Sequence, residues 1–200
     1  MFSFLRILSI AALCTVLSLP AQAQSGVERH LGPIANFVQL GQNGAWTSAA
    51  DDTWYTLTND GALGEVQYFW ASQPDFETRD FRVAVNVYTR PANGDLSHAG
   101  LLCHYRDPER YLGVTIASDG GVYSFIRNPE GLNVIPSEGV QARLDGSDVL
   151  ELQVQGNQAA VFLNGTQALG IEIGGNGPTR NMGILAAGSG VAAFTGMTIR

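Results

Sequence analysis

Lysine is absent from this sequence, cysteine nearly so, and no long run of apolar residues follows the first twenty positions. All 11 basic residues are arginine, set against 18 acidic ones. That imbalance excludes nucleic acid and anionic membrane surfaces as default partners, because both are held by basic patches. Of the two cysteines, Cys14 lies in the apolar N-terminal run and Cys103 in the body of the chain. The body therefore has no pair from which to build an internal disulfide, and the apolar strand pattern around Cys103 predicts a buried, inert thiol. His30, His98 and His104 share no spacing that a zinc site uses. Gly188-Ser189-Gly190 lacks the flanking positions of a nucleophile elbow. No segment shows a sustained helical period either; apolar residues recur at steps of two.

What is present begins with a leader. Met1 to Ala23 carries Arg6, then an apolar run of about 13 residues from Ile7 to Leu19, then Pro20-Ala21-Gln22-Ala23 with its small-x-small pattern. This reads as a secretory signal cleaved before Gln24, which places the mature protein in the periplasm or outside the cell. The run is short of the ~20 residues a spanning helix needs, so no membrane span is expected after cleavage. Cys14 does not suit lipid attachment, because Leu13 before it is too large for such a cleavage site. Removing the leader takes one arginine with it and leaves ten against 18 acids, a net charge of about −8.

Residues 24–200 then form a single domain, with 24–48 a poorly defined N-terminal segment. Ile34 to Leu40 suits a strand or a short helix equally, and Asn43 to Ala50 reads as a loop. The clearest organisation lies in Ala99 to Asn128. Leu101, Cys103 and Tyr105 alternate with Leu102, His104 and Arg106, and Asp107-Pro108-Glu109-Arg110 supplies a turn. Leu112, Val114 and Ile116 follow, then the turn Ser118-Asp119-Gly120-Gly121, then a third strand from Val122 to Arg127. Alternation predicts that Tyr123 and Phe125 share one buried layer with Leu112, Val114 and Ile116.

Elsewhere Val66–Ala71 carries three aromatics, and Phe81–Arg90 alternates Phe81, Val83, Val85 and Val87 against Arg82, Ala84, Asn86 and Tyr88. Val149–Gln155 and Ala159–Leu163 form a pair turned by Gly156-Asn157, and Asn164-Gly165 suits a tight type I′ hairpin. Two further strands close the chain near Met182–Ala187 and Ala192–Ile199, after a glycine-rich loop. Roughly a dozen short strands with turn signals every 8–12 residues predict an all-β sandwich or barrel.

The order of these segments resembles secreted bacterial domains of the concanavalin A-like lectin/glucanase superfamily. The resemblance rests on AGLLCHYRDPERYLGV, SDGGVYSFIR, LELQVQGNQAAVFLNG and the late GIL…AAF segments, and it covers about Ala49 to Arg200. In particular these segments look like laminin-G-like and 3-keto-disaccharide-hydrolase-like jelly rolls. It implies two antiparallel sheets in a jelly-roll sandwich, carbohydrate as the ligand class on a concave sheet, and calcium at the rim in many members. Glucanases of this fold carry an E-x-D-x-E strand, whose alternate carboxylates serve as nucleophile and acid. Here no strand places two carboxylates on one face, so the sequence carries no glucanase motif and names no catalytic residue.

His104, Arg106 and Tyr111 share the face opposite the expected core, with Arg127 joining if its strand has ended, and these four are the candidate ligand-binding residues. Tyrosine stacks on a sugar ring and arginine bonds its oxygens. Asp51, Asp52, Asp60, Asp145 and Asp148 are the oxygen ligands available to calcium, without an EF-hand spacing; no other cofactor is indicated. The leading expectation is a secreted, non-catalytic module that binds a glycan or another cell-envelope polymer. The alternatives are a glycoside-acting enzyme of the 3-keto-disaccharide hydrolase kind, and a structural or adhesion domain.

Overall fold

The protein is described by a computed structural model over residues 21–61, 66–72, 80–92, 94–173 and 181–200. The expected leader up to position 20, the polar connection at 73–79, Asn93 of the expected hairpin loop and the glycine-rich stretch 174–180 lie outside the described residues.

A helix α1 (Ala21–Leu31) and a 3-10 turn (Gly32–Phe37) open the described chain. Among the described residues fourteen strands follow: β1 (Gly41–Asn43), β2 (Trp46–Ala50), β3 (Tyr55–Asn59), β4 (Val66–Ser72), β5 (Phe81–Pro91), β6 (Ser97–Asp107), β7 (Arg110–Ala117), β8 (Val122–Asn128), β9 (Gly131–Pro136), β10 (Asp148–Gln155), β11 (Gln158–Leu163), β12 (Thr166–Glu172), β13 (Asn181–Gly188) and β14 (Gly190–Ile199). They assemble into an eight-stranded sheet, ordered β1-β2-β3-β14-β5-β10-β11-β12, and a six-stranded sheet, ordered β4-β13-β6-β7-β8-β9. Every pairing is antiparallel. The chain crosses repeatedly between the two sheets, for example from β5 to β6 and from β13 to β14, so the architecture is the jelly-roll sandwich expected from the sequence.

The core lies between the sheets. Val83, Val85, Val87, Leu150, Leu152, Val161 and Phe194 project from one side, and Leu101, Val114, Ile116 and Ile184 from the other, each at most 1% exposed. Tyr55 of β3 meets Phe69 of β4 edge to face at 6.3 Å between ring centres, a geometry the ring quadrupoles favour. The Asn164-Gly165 turn forms as read, both residues holding left-handed backbone (φ 51° and 82°).

Three expectations are corrected. Asn43–Ala50 is not a loop: Gly41–Asn43 pairs with Trp46–Ser48 as a small hairpin, which continues the eight-stranded sheet. Nor is the chain free of helix. Residues 21–37 are helical, and Val27, Leu31, Ile34 and Ala35 are buried in the same core cluster as the strands, with Val38 just after them. The segment touches β14, β2 and β3 of one sheet and β4 of the other, so it closes the sandwich along that side. His30 fastens it: one ring nitrogen lies 2.8 Å from Thr195 Oγ1 and the other 2.9 Å from the carbonyl of Asp51. The 3.6-residue period was masked because only Val27 and Leu31 are apolar anchors in an otherwise polar turn sequence.

The third correction concerns β8. Its register pairs Leu112 with Ile126, Val114 with Ser124 and Ile116 with Val122. Directly paired residues share a face, so Val122, Ser124 and Ile126 point toward the core, and Tyr123 and Phe125 point away from it. The polar Ser124 inside and two aromatics outside invert what hydrophobicity alone predicts.

Because Leu31 is fully buried where the helix packs on β14, β2 and β3, Leu31→Ala is expected to destabilise the fold by about 2–5 kcal/mol, as large-to-small core changes do. Urea unfolding followed by tryptophan fluorescence measures this, and a loss under about 1 kcal/mol would show that the helix is not part of the cooperative unit.

Candidate functional site

The outer face of the six-stranded sheet follows from the ladder. One cross-strand row reads Trp70, Gly183, Leu102, Gly113, Phe125, Val134 from β4 to β9. The next reads Tyr68, Leu185, Gly100, Thr115, Tyr123, Pro136. Tyr111 and Arg127 stand directly opposite each other at one end, with Leu132 beside Arg127. Glycine, threonine and two leucines thus occupy the middle strands, and aromatic residues flank them.

One local device completes this face. Between the pairs Cys103↔Leu112 and Asp107↔Arg110 the register of β6 slips, so that three residues, His104 to Arg106, oppose the single Tyr111. His104 adopts left-handed backbone at φ 49°, a region where histidine is enriched among non-glycine residues. Such a bulge reverses the alternation. Tyr105 therefore joins Leu102 on the outer face, and His104 turns inward against Phe81, with 5.6 Å between ring centres. The side-chain amide of Asn181 donates to the Tyr105 carbonyl at 2.8 Å, which satisfies an acceptor in the disrupted stretch.

The aromatic cluster is closely packed. Tyr105 lies 5.0 Å from Trp70 and 5.1 Å from Tyr68, and Tyr68 lies 6.3 Å from Tyr111, centre to centre. Leu102 and Leu185 are buried beneath the four rings, which themselves range from half-buried to nearly buried. The Tyr105 hydroxyl donates to that of Tyr68 at 3.4 Å, and burial followed by the Tyr68 hydroxyl holds Tyr105 above the usual phenol range. Burial raises Tyr111 as well, opposed by the positive charge of Arg127. Among the described residues Arg127 makes no ion pair within 4.0 Å.

Farther along the same face, His98 packs edge-on against Tyr123 and Phe125, each at 5.4 Å. Burial pushes its imidazole below the ordinary value, with Asp119 opposing. The Tyr123 hydroxyl donates to Asp119 at 3.3 Å. Leu132 and Val134, 47% and 44% exposed, extend the apolar character to the edge strand.

Of the four residues marked from the sequence, the structure brings Tyr111 and Arg127 together. Arg127 joins because the whole of β8 faces the other way, not because its strand has ended. His104 leaves the group: it is 4% exposed on the core side. Arg106 is exposed at the end of β6, next to the turn. Sequence reasoning missed Tyr105, which it assigned to the core, and underweighted Tyr68 and Trp70. Their signal was the run Tyr68-Phe69-Trp70, whose alternation places two of the three on one face.

The acidic loops do not converge. Asp51 accepts the backbone N–H groups of Trp54 and Thr53, which hold its carboxyl below the ordinary range, and Asp52 pairs with Arg29 at 3.5 Å. Asp148 is buried and bonded by Arg143 and Asn164. Among the described residues no three His, Cys, Asp or Glu side chains come together as a metal site, and no helix is long and apolar enough to cross a membrane. Cys103 is fully buried on the core side, and that burial raises its thiol.

The jelly-roll sandwich is shared with solved structures of low sequence identity. Carbohydrate-binding module CBM66 from Bacillus subtilis is similar over 79% of this chain and 92% of its own, at TM-score 0.53 and 12% identity. A protein of unknown function with a galectin-like fold, also from Bacillus subtilis, is similar over 88% of this chain and 93% of its own, at TM-score 0.57 and 11% identity. The GH43 protein BlXynB from Bacillus licheniformis matches 86% of this chain with 39% of its own, at TM-score 0.57 and 14% identity. No family model and no curated protein matches the sequence.

Burial, and then the charge of Arg106, push the His104 imidazole down to about 4. Its folded-state value lies below the unfolded ~6.5, so its neutral form stabilises the fold above pH 6.5 and that contribution is lost as pH falls toward 4. Unfolding free energy is expected to drop by roughly 3 kcal/mol across this window from this group. His104→Asn keeps a residue that tolerates left-handed backbone and removes the titration, so its urea midpoint, followed over the same range, should fall less steeply than the wild type's. Parallel curves would show that His104 is not buried in neutral form.

Proposed function

We propose that this protein is a non-catalytic carbohydrate-binding module of the cell envelope or secreted fraction, and that the outer face of the six-stranded sheet is its platform. The observation that carries this reading is the grouping of Tyr68, Trp70, Tyr105 and Tyr111 over Leu102 and Leu185, with Arg127 across from Tyr111. A packed cluster of rings that still presents edges and faces to solvent is costly unless something covers it, and a contiguous patch of this kind marks an interaction site. Tyrosine and tryptophan combine an apolar body with a polar tip, which matches the alternation of C–H faces and hydroxyls on a sugar ring. Arg127 adds donors for ring or substituent oxygens. The similarity in fold to a carbohydrate-binding module supports the same reading, and the leader sequence supports export.

The hydrolase alternative, including the 3-keto-disaccharide hydrolase kind, needs a carboxyl raised in pKa beside the sugar. Asp51 and Asp107 are both lowered, Asp107 chiefly by its hydrogen bond to Arg110. Neither serves as an acid near neutral pH.

Trp70→Ala and Tyr111→Ala are each expected to weaken polysaccharide binding about tenfold, the upper end of what a stacked aromatic contributes, with only a modest fall in melting temperature. Affinity electrophoresis through gels containing neutral plant and bacterial polysaccharides reads the effect. Unretarded migration of the wild type on every polymer, or unchanged retardation of both variants, would overturn the assignment.

A further inference from the structure

The opposite outer face, that of the eight-stranded sheet, carries a hollow of about 390 Å³ at β10, β11 and β12. Its volume is in the range of small-molecule sites. The floor is made by Ala160 and Gly170, which pair across β11 and β12. The walls are the long side chains of Gln155, Gln158, Gln167 and Glu172. Without the two small residues in the middle, the sheet surface here would be filled.

Gly170 is the informative residue. Glycine inside a strand weakens it, and usually marks a bulge or a close backbone approach. The six-stranded sheet shows the second case: a Cβ on Gly100 or Gly183 would fall within 2 Å of a neighbouring carbonyl oxygen. At Gly170 neither reason applies. Its backbone is not left-handed, the register slip of β12 falls at Ala168, and the nearest atom to an added Cβ would be the Gln167 amide nitrogen at 3.9 Å. What Gly170 preserves is open space.

The lining defines the chemistry. Each glutamine amide offers two donors and an acceptor, and among the described residues the amides of Gln155, Gln158 and Gln167 bond no other side chain or backbone group. Gln153, at the near wall, instead donates to Glu151 at 2.6 Å, and Glu151 pairs with Arg82 at 3.3 Å. Among the described residues that line the hollow, Glu172 carries the one charge. It disfavours an anion, and a cation would find a single carboxylate among neutral amides. A neutral ligand whose hydroxyls both donate and accept fits this set.

We propose that this hollow is a second ligand site, for a neutral polyhydroxylated ligand such as a saccharide unit, held by glutamine amides and independent of the aromatic face on the other sheet. The module then engages ligand on both sides of the sandwich.

The test uses the ¹⁵N-labelled protein titrated with neutral hexasaccharides, namely maltohexaose, cellohexaose, xylohexaose and laminarihexaose. The side-chain NH₂ resonances of Gln155, Gln158 and Gln167 are expected to shift together and saturably with at least one of them. Gly170→Leu, whose Cβ would meet nothing nearer than 3.9 Å, places a bulky side chain in the hollow and should abolish those shifts while the melting temperature stays equal or rises. Gln158→Ala combined with Gln167→Ala should weaken them at least tenfold, and this variant decides the matter if Gly170→Leu does not fold. The shifts should persist in Trp70→Ala, even if the aromatic face binds nothing. No amide movement with any of the four sugars, movement retained in the hollow variants, or loss of the movement in Trp70→Ala would each overturn the proposal.

Discussion

At His104 the backbone of β6 enters left-handed space, and from that residue onward the strand presents the opposite side chains to the core. The completeness of the four-ring cluster on the six-stranded sheet's outer face depends on this reversal. It delivers Tyr105 into the gap between Trp70 and Tyr68, removes an imidazole from solvent, and leaves Tyr111 facing the extra residues of the bulge. Without it, Tyr105 would compete for core volume already occupied by Leu101 and Cys103, and the four-ring cluster would have a hole at its centre. Bulges next to functional surfaces are a recurrent way to re-aim a side chain.

The same sheet shows how closely backbone is packed beneath that surface. Gly100 and Gly183 sit where a neighbouring strand's carbonyl leaves no room for a Cβ. Their lack of side chains also keeps the middle of the outer face low while rings rise on both flanks. Close backbone approach and surface relief thus have one cause, and this couples the stability of the sheet to the shape of the platform.

The two outer faces of the sandwich have different chemistry. One displays aromatic rings, leucine and a single guanidinium. The other displays amides, hydroxyls and paired charges around the part-exposed Tyr88 and Phe162, with Arg82 held by Glu151. An antiparallel sandwich buries only its inner faces, so nothing in the fold requires either outer face to be aromatic or amide-lined. The helical segment strengthens the distinction, because its packing against β14, β2, β3 and β4 closes the side of the core without covering the aromatic rows.

Much of the architecture was legible because alternation at steps of two is a local signal. Phe81–Arg90, Val149–Gln155, the turn at Asp107–Arg110 and the Asn164-Gly165 hairpin all follow from neighbours in sequence, and with them the sandwich class. The errors fall where hydrophobicity and geometry disagree. Tyr123 and Phe125 are more apolar than Val122 and Ser124 taken together, yet their face is decided by which residues of β7 they oppose, a property of register. Tyr105 and His104 exchange faces because one residue adopts a positive φ that its neighbours do not announce. The helix at the start of the domain has too few apolar positions to declare itself, and it is held by Thr195 and the Asp51 carbonyl, groups distant in sequence. By itself, then, the sequence determined most of the strands, the turns and the class of fold, since each rests on short-range patterns. Only the tertiary structure decided which aromatic side chains leave the core and come together, because that depends on cross-strand register and on one bulge, and neither is encoded within a single strand.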